Sequence, residues 1–362
     1  MLNRAMKIGV LEGDDIGHEV VPEAIKVMQA AAAKTGLPIE WIPLPIGRRA
    51  FDTLGYTLPP DTLEKLEQFD GWVLGPIGHQ AYPKEPNAIN PHPILRKHFD
   101  LFANIRPTKS YPGLPSLHKD VDLVIVRENN EGFQPDRNVV AGSGEFRPSH
   151  DMTISVRVIT RQGSSKVARA AFELARARRK KLTAVHKDTV FKLGCGMFAE
   201  ECRKLAKEYS DVEYSEAIVD TFAMRLVMTP QKYDVVVTTN MFGDILSDEA
   251  AGLVGGLGLA PGLCVGPRHA MAQATHGSAP DIAGRNIANP YAMIMSGKML
   301  LDWLGRKHQE PRLLSAARLI EQAVEQVIAE GRWLTPDLGG KASTTEMGAA
   351  IGAALDVAIP SM

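Results

Sequence analysis

The chain has 362 residues, 44% of them hydrophobic and 23% charged, which is ordinary for a folded globular protein of one or two domains. A formal net charge of -1 leaves no footprint for nucleic acid or an acidic membrane surface, and no apolar run approaches a membrane span. Three cysteines (Cys195, Cys202 and Cys264) exclude a disulfide framework, and none shows a metal-binding spacing with histidine.

The opening "MLNRAMKIGVLEG" moves straight into a strand pattern with no signal peptide, which predicts a cytoplasmic protein. "MKIGVLEG" reads as a strand, followed by a helix from about His18 to Lys34. Between them "LEGDDIGHEV" is a glycine-containing turn, but not the G-x-G-x-x-G of a standard Rossmann site. "IEWIPLPIG" and "DGWVLGPIG" are further strands. The Pro/Gly-rich segment from Gly75 to Pro93 is a long loop, a feature that is often functional in compact domains. Next, "LRKHFDLFANIRP" places Arg96 and Arg106 ten apart around an apolar stretch.

The run from Val121 to Val126, "VDLVIV", reads as a buried strand, and it delivers the polar segment "VRENNEGFQPDRN" at its end. In open α/β sheets ligands bind beyond the carboxyl ends of strands. Arg127 joins Arg96 and Arg106 as a third guanidinium suited to grip a carboxylate bidentately, although any one of them alone would read as a surface arginine. A hairpin-like "MTISVRVITR" precedes a helix from about Ser164 to Arg179. The cations of "RARRKK" suit the end of that helix through its dipole. Cys195 and Cys202 lie seven apart on one packed face of another helix.

"LTAVHK", "VEYSEAIVD" and "DVVVTTN" are strands, each followed by a helix. Lys187 and Asp220 stand at strand ends, where either could be an ordinary surface charge or, for the lysine, a desolvated base. "TTNMFGDILSDEAAG" puts Asp244 and Asp248 at i and i+4 on one helix face. Acids near a helix start are favourable without any function. Two on one face beside arginines make an oxygen-ligand site for Mg²⁺ or Mn²⁺. From "NPYAMIMSGKMLLDWLG" onward the pattern is mostly helical, with Met and Leu assigned to the core. The alternation predicts an α/β protein with helices on both sheet faces.

The most specific string is "HGSAPDIAGRNIANP", His276 to Pro290, whose small residues let backbone approach a ligand closely. Together with "GDILSDEAAGLVGGLGLAPG" it resembles the β-decarboxylating dehydrogenases, the isocitrate/isopropylmalate dehydrogenase family that also includes homoisocitrate, tartrate and D-malate enzymes. The resemblance runs from Met6 to about Leu355. It implies an isopropylmalate-dehydrogenase-like α/β fold with a central mixed sheet and two intimately joined domains. Residues 1–107 and 254–362 would form the large cofactor-binding domain. Residues 108–253 would form the small domain, with a dimer arm at about 134–158. It also implies a homodimer with shared active sites, NAD and a divalent cation as cofactors, and oxidation, with decarboxylation, of a 3-substituted malate.

By the same resemblance Arg96, Arg106 and Arg127 match the substrate-carboxylate arginines. Asp244 and Asp248 match metal ligands. Lys187 and Asp220, supplied by the partner, match the proton-transfer lysine and the third metal ligand. His276, Gly277, Ser278, Ala279, Asp281, Ile282 and Asn289 fall in the cofactor segment. Asp281 and Ile282 stand where NAD users carry an acid and an apolar residue, and a carboxylate there repels a 2′-phosphate.

Two positions depart from the family pattern. Gln134 replaces the tyrosine expected seven residues after Arg127, and glutamine has no titratable proton to give an enol. Water or a residue such as His186 would then protonate it. Thr189 replaces an asparagine. Before Arg96 the chain reads "NAINPHPIL", matching neither isopropylmalate nor isocitrate enzymes. Asn90, His92 and Pro93 there would line the pocket for the C3 substituent, or His92 would be a plain loop residue. The alternatives are a tartrate or D-malate dehydrogenase, or a non-catalytic regulatory paralogue. The intact set of Lys187, Asp220, Asp244 and Asp248 argues against the paralogue.

Overall fold

The computed structural model describes residues 4–133 and 144–356. Gln134 and the first part of the expected arm lie outside the described residues. In chain order the strands are β1 (Met6–Leu11), β2 (Ile39–Pro43), β3 (Gly71–Leu74), β4 (Ala103–Lys109), β5 (Asp122–Glu128) and β6 (Glu145–Ser149). They continue with β7 (Met152–Ser155), β8 (Lys181–His186), β9 (Glu213–Ile218), β10 (Val235–Thr238), β11 (Leu263–Val265) and β12 (Ala270–Ala272). Ten of them form one mixed sheet in the order β2-β1-β3-β12-β11-β4-β5-β10-β8-β9.

β2, β1, β3 and β12 are parallel, as are β5, β10, β8 and β9. The antiparallel pairs β12–β11, β11–β4 and β4–β5 join the two blocks and reverse their sense. The central mixed sheet expected from the resemblance is present.

Both faces of this sheet are covered, and strand alternation decides which residues go where. In β5, Val124 and Val126 enter a continuous core on one face, built with the Gly17–Lys34, Arg161–Arg176, Tyr291–His308 and Pro311–Glu330 helices. Leu123 and Ile125 point to the opposite, front face. There the apolar material falls into two separate clusters. One centres on Trp72, Leu95 and Met271, the other on Ile125, Phe222 and Leu246.

Register explains the split. Arg127 continues the front-face alternation of Leu123 and Ile125. Asn104 lies opposite Arg127, and Arg106 opposite Ile125, so all three polar residues share that face. Leu263 pairs with both Ile105 and Ala272, which brings Gln273 beside the same strip. A buried polar row therefore separates the two front clusters.

Two local expectations are corrected. The helix expected at about 164–179 runs from Arg161 to Arg176, capped by Thr160, whose hydroxyl accepts from Gly163 N at 3.0 Å. The basic run therefore begins at the last residue of the helix, Arg176, and continues beyond it. Arg176 pairs with Asp211 at 2.7 Å, while Arg178 bridges Asp122 at 2.8 Å and Asp234 at 2.7 Å. The hairpin sits earlier than expected, as β6 and β7. Cys195 and Cys202 are both buried on the Gly194–Glu208 helix, as their spacing predicts. No helix among the described residues is long and apolar enough to cross a membrane.

Trp72 is the largest fully buried side chain among the described residues and packs against Phe99 with ring centroids 4.6 Å apart and the rings tilted by 57°. Trp72→Ala is expected to destabilise the fold by about 3–5 kcal/mol, read from the midpoint of denaturant unfolding.

Candidate active site

The front-face row is completed by the Asn240–Val254 helix, which lies over β4 and β5. Helical spacing places Asn240, Asp244, Ser247 and Asp248 on the side that meets the arginines. Arg127 donates through Nη1 to Asp244 Oδ1, and through Nη2 to Asn240 Oδ1 at 2.7 Å. Arg106 donates through Nη1 to Asp244 Oδ1 at 3.0 Å and to Ser247 Oγ at 2.7 Å. Asp248 lies 3.8 Å away. Both guanidiniums are buried, whereas the two aspartates are half exposed.

The electrostatics follow from that geometry. Burial pulls the Arg106 guanidinium below its ordinary range, Asp244 opposes the shift, and the nearby charge of Arg96 adds to it. Burial also raises the Asp248 carboxyl, against the attraction of Arg106 and with the repulsion of Asp244. Glu128, next to Arg127, is pushed up to about 7 by burial although it accepts from the backbone N–H of Asn130 and Glu131. Asn240 Nδ2 donates to it at 3.3 Å, tying Glu128 to Arg127 through one amide.

Arg96, on the Pro91–His98 helix, belongs to a second cluster. It donates to Gln273 Oε1 at 3.1 Å, and Gln273 Nε2 in turn meets His92 Nε2. Asn90 caps that helix, accepting from His92 N at 3.1 Å. Lys187 and Asp220 form a third, an ion pair at 2.9 Å that depresses the Asp220 carboxyl. Among the described residues no three acids, histidines or cysteines lie close enough to hold an ion within one chain. The strand places His186 on the other face: it is two residues beyond Ala184, which is in the back core. Its Nε2 lies 3.0 Å from Glu216 and its Nδ1 3.4 Å from Asp188, so it is held away from the front-face row.

The segment after β12 folds against the loops that follow β1 and β3. Ile16 N donates to the Ser278 carbonyl at 3.1 Å. At Gly75 a Cβ would stand 1.9 Å from the Glu12 carbonyl oxygen, so only glycine lets these loops meet. Asp281 is exposed, and Ile282 is packed against the core. Ala279 takes a left-handed φ of 44° next to exposed Gly277. His276 is held below its ordinary range by burial, with Nε2 lacking a partner among the described residues. Asn289 donates to Asp337 at 3.0 Å and accepts from Tyr291 N at 2.9 Å, anchoring the segment to the following helix.

The family described as isocitrate/isopropylmalate dehydrogenase matches residues 7–351. The chain belongs to the isocitrate/isopropylmalate dehydrogenase family. It is therefore an oxidoreductase acting on CH–OH donors. It is 42% identical to a 3-isopropylmalate dehydrogenase of Methanothermobacter thermautotrophicus, over 96% of this chain and 98% of the relative. It is 43% identical to an isocitrate/homoisocitrate dehydrogenase of Thermus thermophilus, over 94% of this chain and 96% of the relative. The solved isocitrate dehydrogenase of Methylococcus capsulatus superposes with a TM-score of 0.85 at 42% identity, covering 97% of this chain and 99% of that one.

Asn240, Ser247 and Gln273 were not singled out from the sequence of this family member. The first two carry a usable signal, since they share a helical face with Asp244. Gln273 carries none, because only the sheet register brings it to Arg96.

Gly243 packs directly on Arg127: a Cβ there would come within 2.7 Å of the arginine Cβ and Cγ. Gly243→Ala is expected to displace Arg127 and weaken substrate binding about tenfold or more, seen as a raised KM with a smaller change in kcat.

Proposed function

We propose that this protein catalyses NAD-dependent, divalent-metal-dependent oxidation, with decarboxylation, of a 3-substituted malate such as 3-isopropylmalate or isocitrate. The observation that carries this reading is the buried pair Arg106 and Arg127 facing two half-exposed aspartates on the front of the sheet, with buried Arg96 close enough to repel Arg106. Three cations against two anions leave a positive excess where a hydroxy diacid would sit. Buried charge without compensation is costly, so an anionic ligand is the natural completion.

The residues fit the implied groups. Asp244 and Asp248 are hard oxygen donors, and the raised Asp248 carboxyl reflects like charge and burial that a divalent cation would offset. A bound cation would acidify the substrate hydroxyl and stabilise charge on the oxygen formed from it. Bound NAD would supply the hydride acceptor. Arg106 and Arg127 orient the diacid, and Arg96 takes a further carboxylate oxygen. Exposed Asp281 would accept from ribose hydroxyls and repel a 2′-phosphate. Lys187 acts in proton transfer.

One chain supplies two acids of the metal set, and its own Lys187 and Asp220 pair with each other instead. In this reading Asp220 of the partner subunit completes the set. The Val219–Met228 and Asn240–Val254 helices expose Met224, Met228 and Ile245, at 54%, 63% and 60% of their surface, as an apolar face suited to a second copy. The domain layout of 1–107 plus 254–362 against 108–253 goes with this reading, with β4 and β5 as the joint.

Gln134 favours a second reading, a non-catalytic subunit, because it lacks the phenol that would protonate the enol. Hydride transfer does not need that proton, so oxidation is expected to survive, with the enol protonated from water.

The purified protein with Mn²⁺ should form NADH from at least one of 3-isopropylmalate, isocitrate, tartrate or D-malate. NAD⁺ should outperform NADP⁺ in kcat/KM, Asp281→Lys should narrow that gap, and excess EDTA should abolish turnover. Absence of NADH with every substrate would favour the non-catalytic reading. In the dimer, mixing inactive Lys187→Ala and Arg127→Ala chains should restore part of the activity. No rescue, once subunit exchange is shown by mass, would place each complete site within a single chain.

A further inference from the structure

Among the described residues no carboxylate pairs with half-buried Arg157. Its Nη1 and Nη2 donate to the buried Cys195 Sγ at 3.5 and 3.4 Å, and Nη2 also donates to Thr239 Oγ1 at 3.3 Å. Three phenylalanine rings surround it, with centroids 5.5 Å (Phe133), 4.8 Å (Phe191) and 5.6 Å (Phe242) from Cζ. A planar guanidinium suits such a niche, because its faces lie against rings while its edge still donates.

These contacts join parts of the chain that are otherwise apart. Thr239 and Phe242 belong to the start of the Asn240–Val254 helix, beside Asn240 and Gly243, which both meet Arg127. Phe133 follows Gly132, whose N–H and carbonyl pair with Val158, next to Arg157. Phe191 and Cys195 lie on the turn and helix that follow Lys187. The Lys187 carbonyl accepts from Val190 N at 3.1 Å and from Phe191 N at 2.8 Å, and Phe191 O accepts from Cys195 N at 2.9 Å. The turn has little burial of its own, with Val190 62%, Phe191 39% and Leu193 88% exposed.

We infer that Arg157 is a positioning residue for Lys187, pinning the turn from Lys187 to Phe191 against the helix that carries Asp244. This rests on the reading of Lys187 as a proton-transfer group lent to the partner subunit. The two sides of the contact differ in stiffness. The Asn240–Val254 helix is held by its own hydrogen bonds and by Arg106 and Arg127, whereas the turn is exposed. Loss of Arg157 therefore releases the turn and leaves the arginine row in place. Its effect falls on the site that receives Lys187, which is not the site lined by its own Arg127.

The test uses full-length Arg157→Met, which keeps an apolar stem without charge or donors, and Phe191→Leu, which removes the ring from the exposed side. As homodimers both are expected to lose kcat about tenfold or more on whichever malate analogue is oxidised, with KM within about threefold of wild type. Mixed dimers assign the effect. When Arg127→Ala and Lys187→Ala chains combine, the one complete site takes Lys187 from the first and Arg127 from the second. Arg157→Met added to the Arg127→Ala chain should lower kcat as it does in the homodimer. Added to the Lys187→Ala chain, it should leave kcat within about threefold of the mixed dimer without it. Amide hydrogen exchange reads the turn with no substrate present. At Val190 and Phe191 it should speed about tenfold in both variants, with Ala199–Leu205 unchanged.

A wild-type kcat in Arg157→Met would overturn the inference. So would a loss that follows the chain supplying Arg127, or one that is equal in both placements. Should Arg157→Met not fold, Phe191→Leu in the same two placements decides. A wild type that oxidises no malate analogue would overturn the proposed reaction, and mixed dimers that stay inactive would overturn its shared site. In either case exchange at Val190 and Phe191 decides the pin alone, and wild-type protection in both variants overturns it.

Discussion

Three guanidiniums buried on one face of a sheet are the constraint on which the rest of the structure depends. Arg96, Arg106 and Arg127 cannot be left dry and unpartnered, so the surrounding fold is arranged to hold them. The Asn240–Val254 helix lies across β4 and β5 with Asn240, Asp244 and Ser247 turned inward. Gly243 gives up its side chain so that the helix can sit on Arg127. Gln273 comes in from the far side of β11 to accept from Arg96. The apolar core on this face is divided in two as a result, while the core on the back runs unbroken beneath it.

That division has an energetic meaning. The back face supplies continuous hydrophobic burial, which lets the front face tolerate a polar strip that contributes little to stability. The strip is also only partly neutralised. Asp244 serves two arginines at once, Asp248 is held up by burial, and Arg96 has only an amide. Such an arrangement is stable enough to fold and incomplete enough to need ligands. Isocitrate/isopropylmalate dehydrogenase family membership supplies the chemical context for those ligands, a hydroxy acid above all.

A single chain also leaves functional groups unspent. Lys187 and Asp220 satisfy each other at the carboxyl ends of β8 and β9, and neither is bonded to the arginine row. The same region exposes methionine and isoleucine side chains on two adjacent helices. Both facts fit the proposed second copy docked on those helices, which would link the chemistry of the site to assembly.

Much of this was legible in the residue order. Period-2 and period-3.6 patterns, with long motifs such as "HGSAPDIAG", carried the α/β class, most elements and the family. Arg106, Arg127 and Asp244, singled out as carboxylate-gripping arginines and an acid on a helix face, do meet in the structure. Local pattern set the helix end three residues late, so that of the basic run only Arg176 lies in the last turn, while Arg178 pairs with Asp122 and Asp234 from distant segments. It also allowed His186 as a proton donor, which the alternation of β8 turns to the back face. The sequence by itself determined which side chains can carry charge, hydrogen bonds and apolar surface, since those are properties of each residue. Only the tertiary structure decided that Arg106 and Arg127 share one aspartate, that Arg96 has none, and that Gln273 bridges to His92. Those relations span 181 residues in the longest case, and the register of non-neighbouring strands sets them.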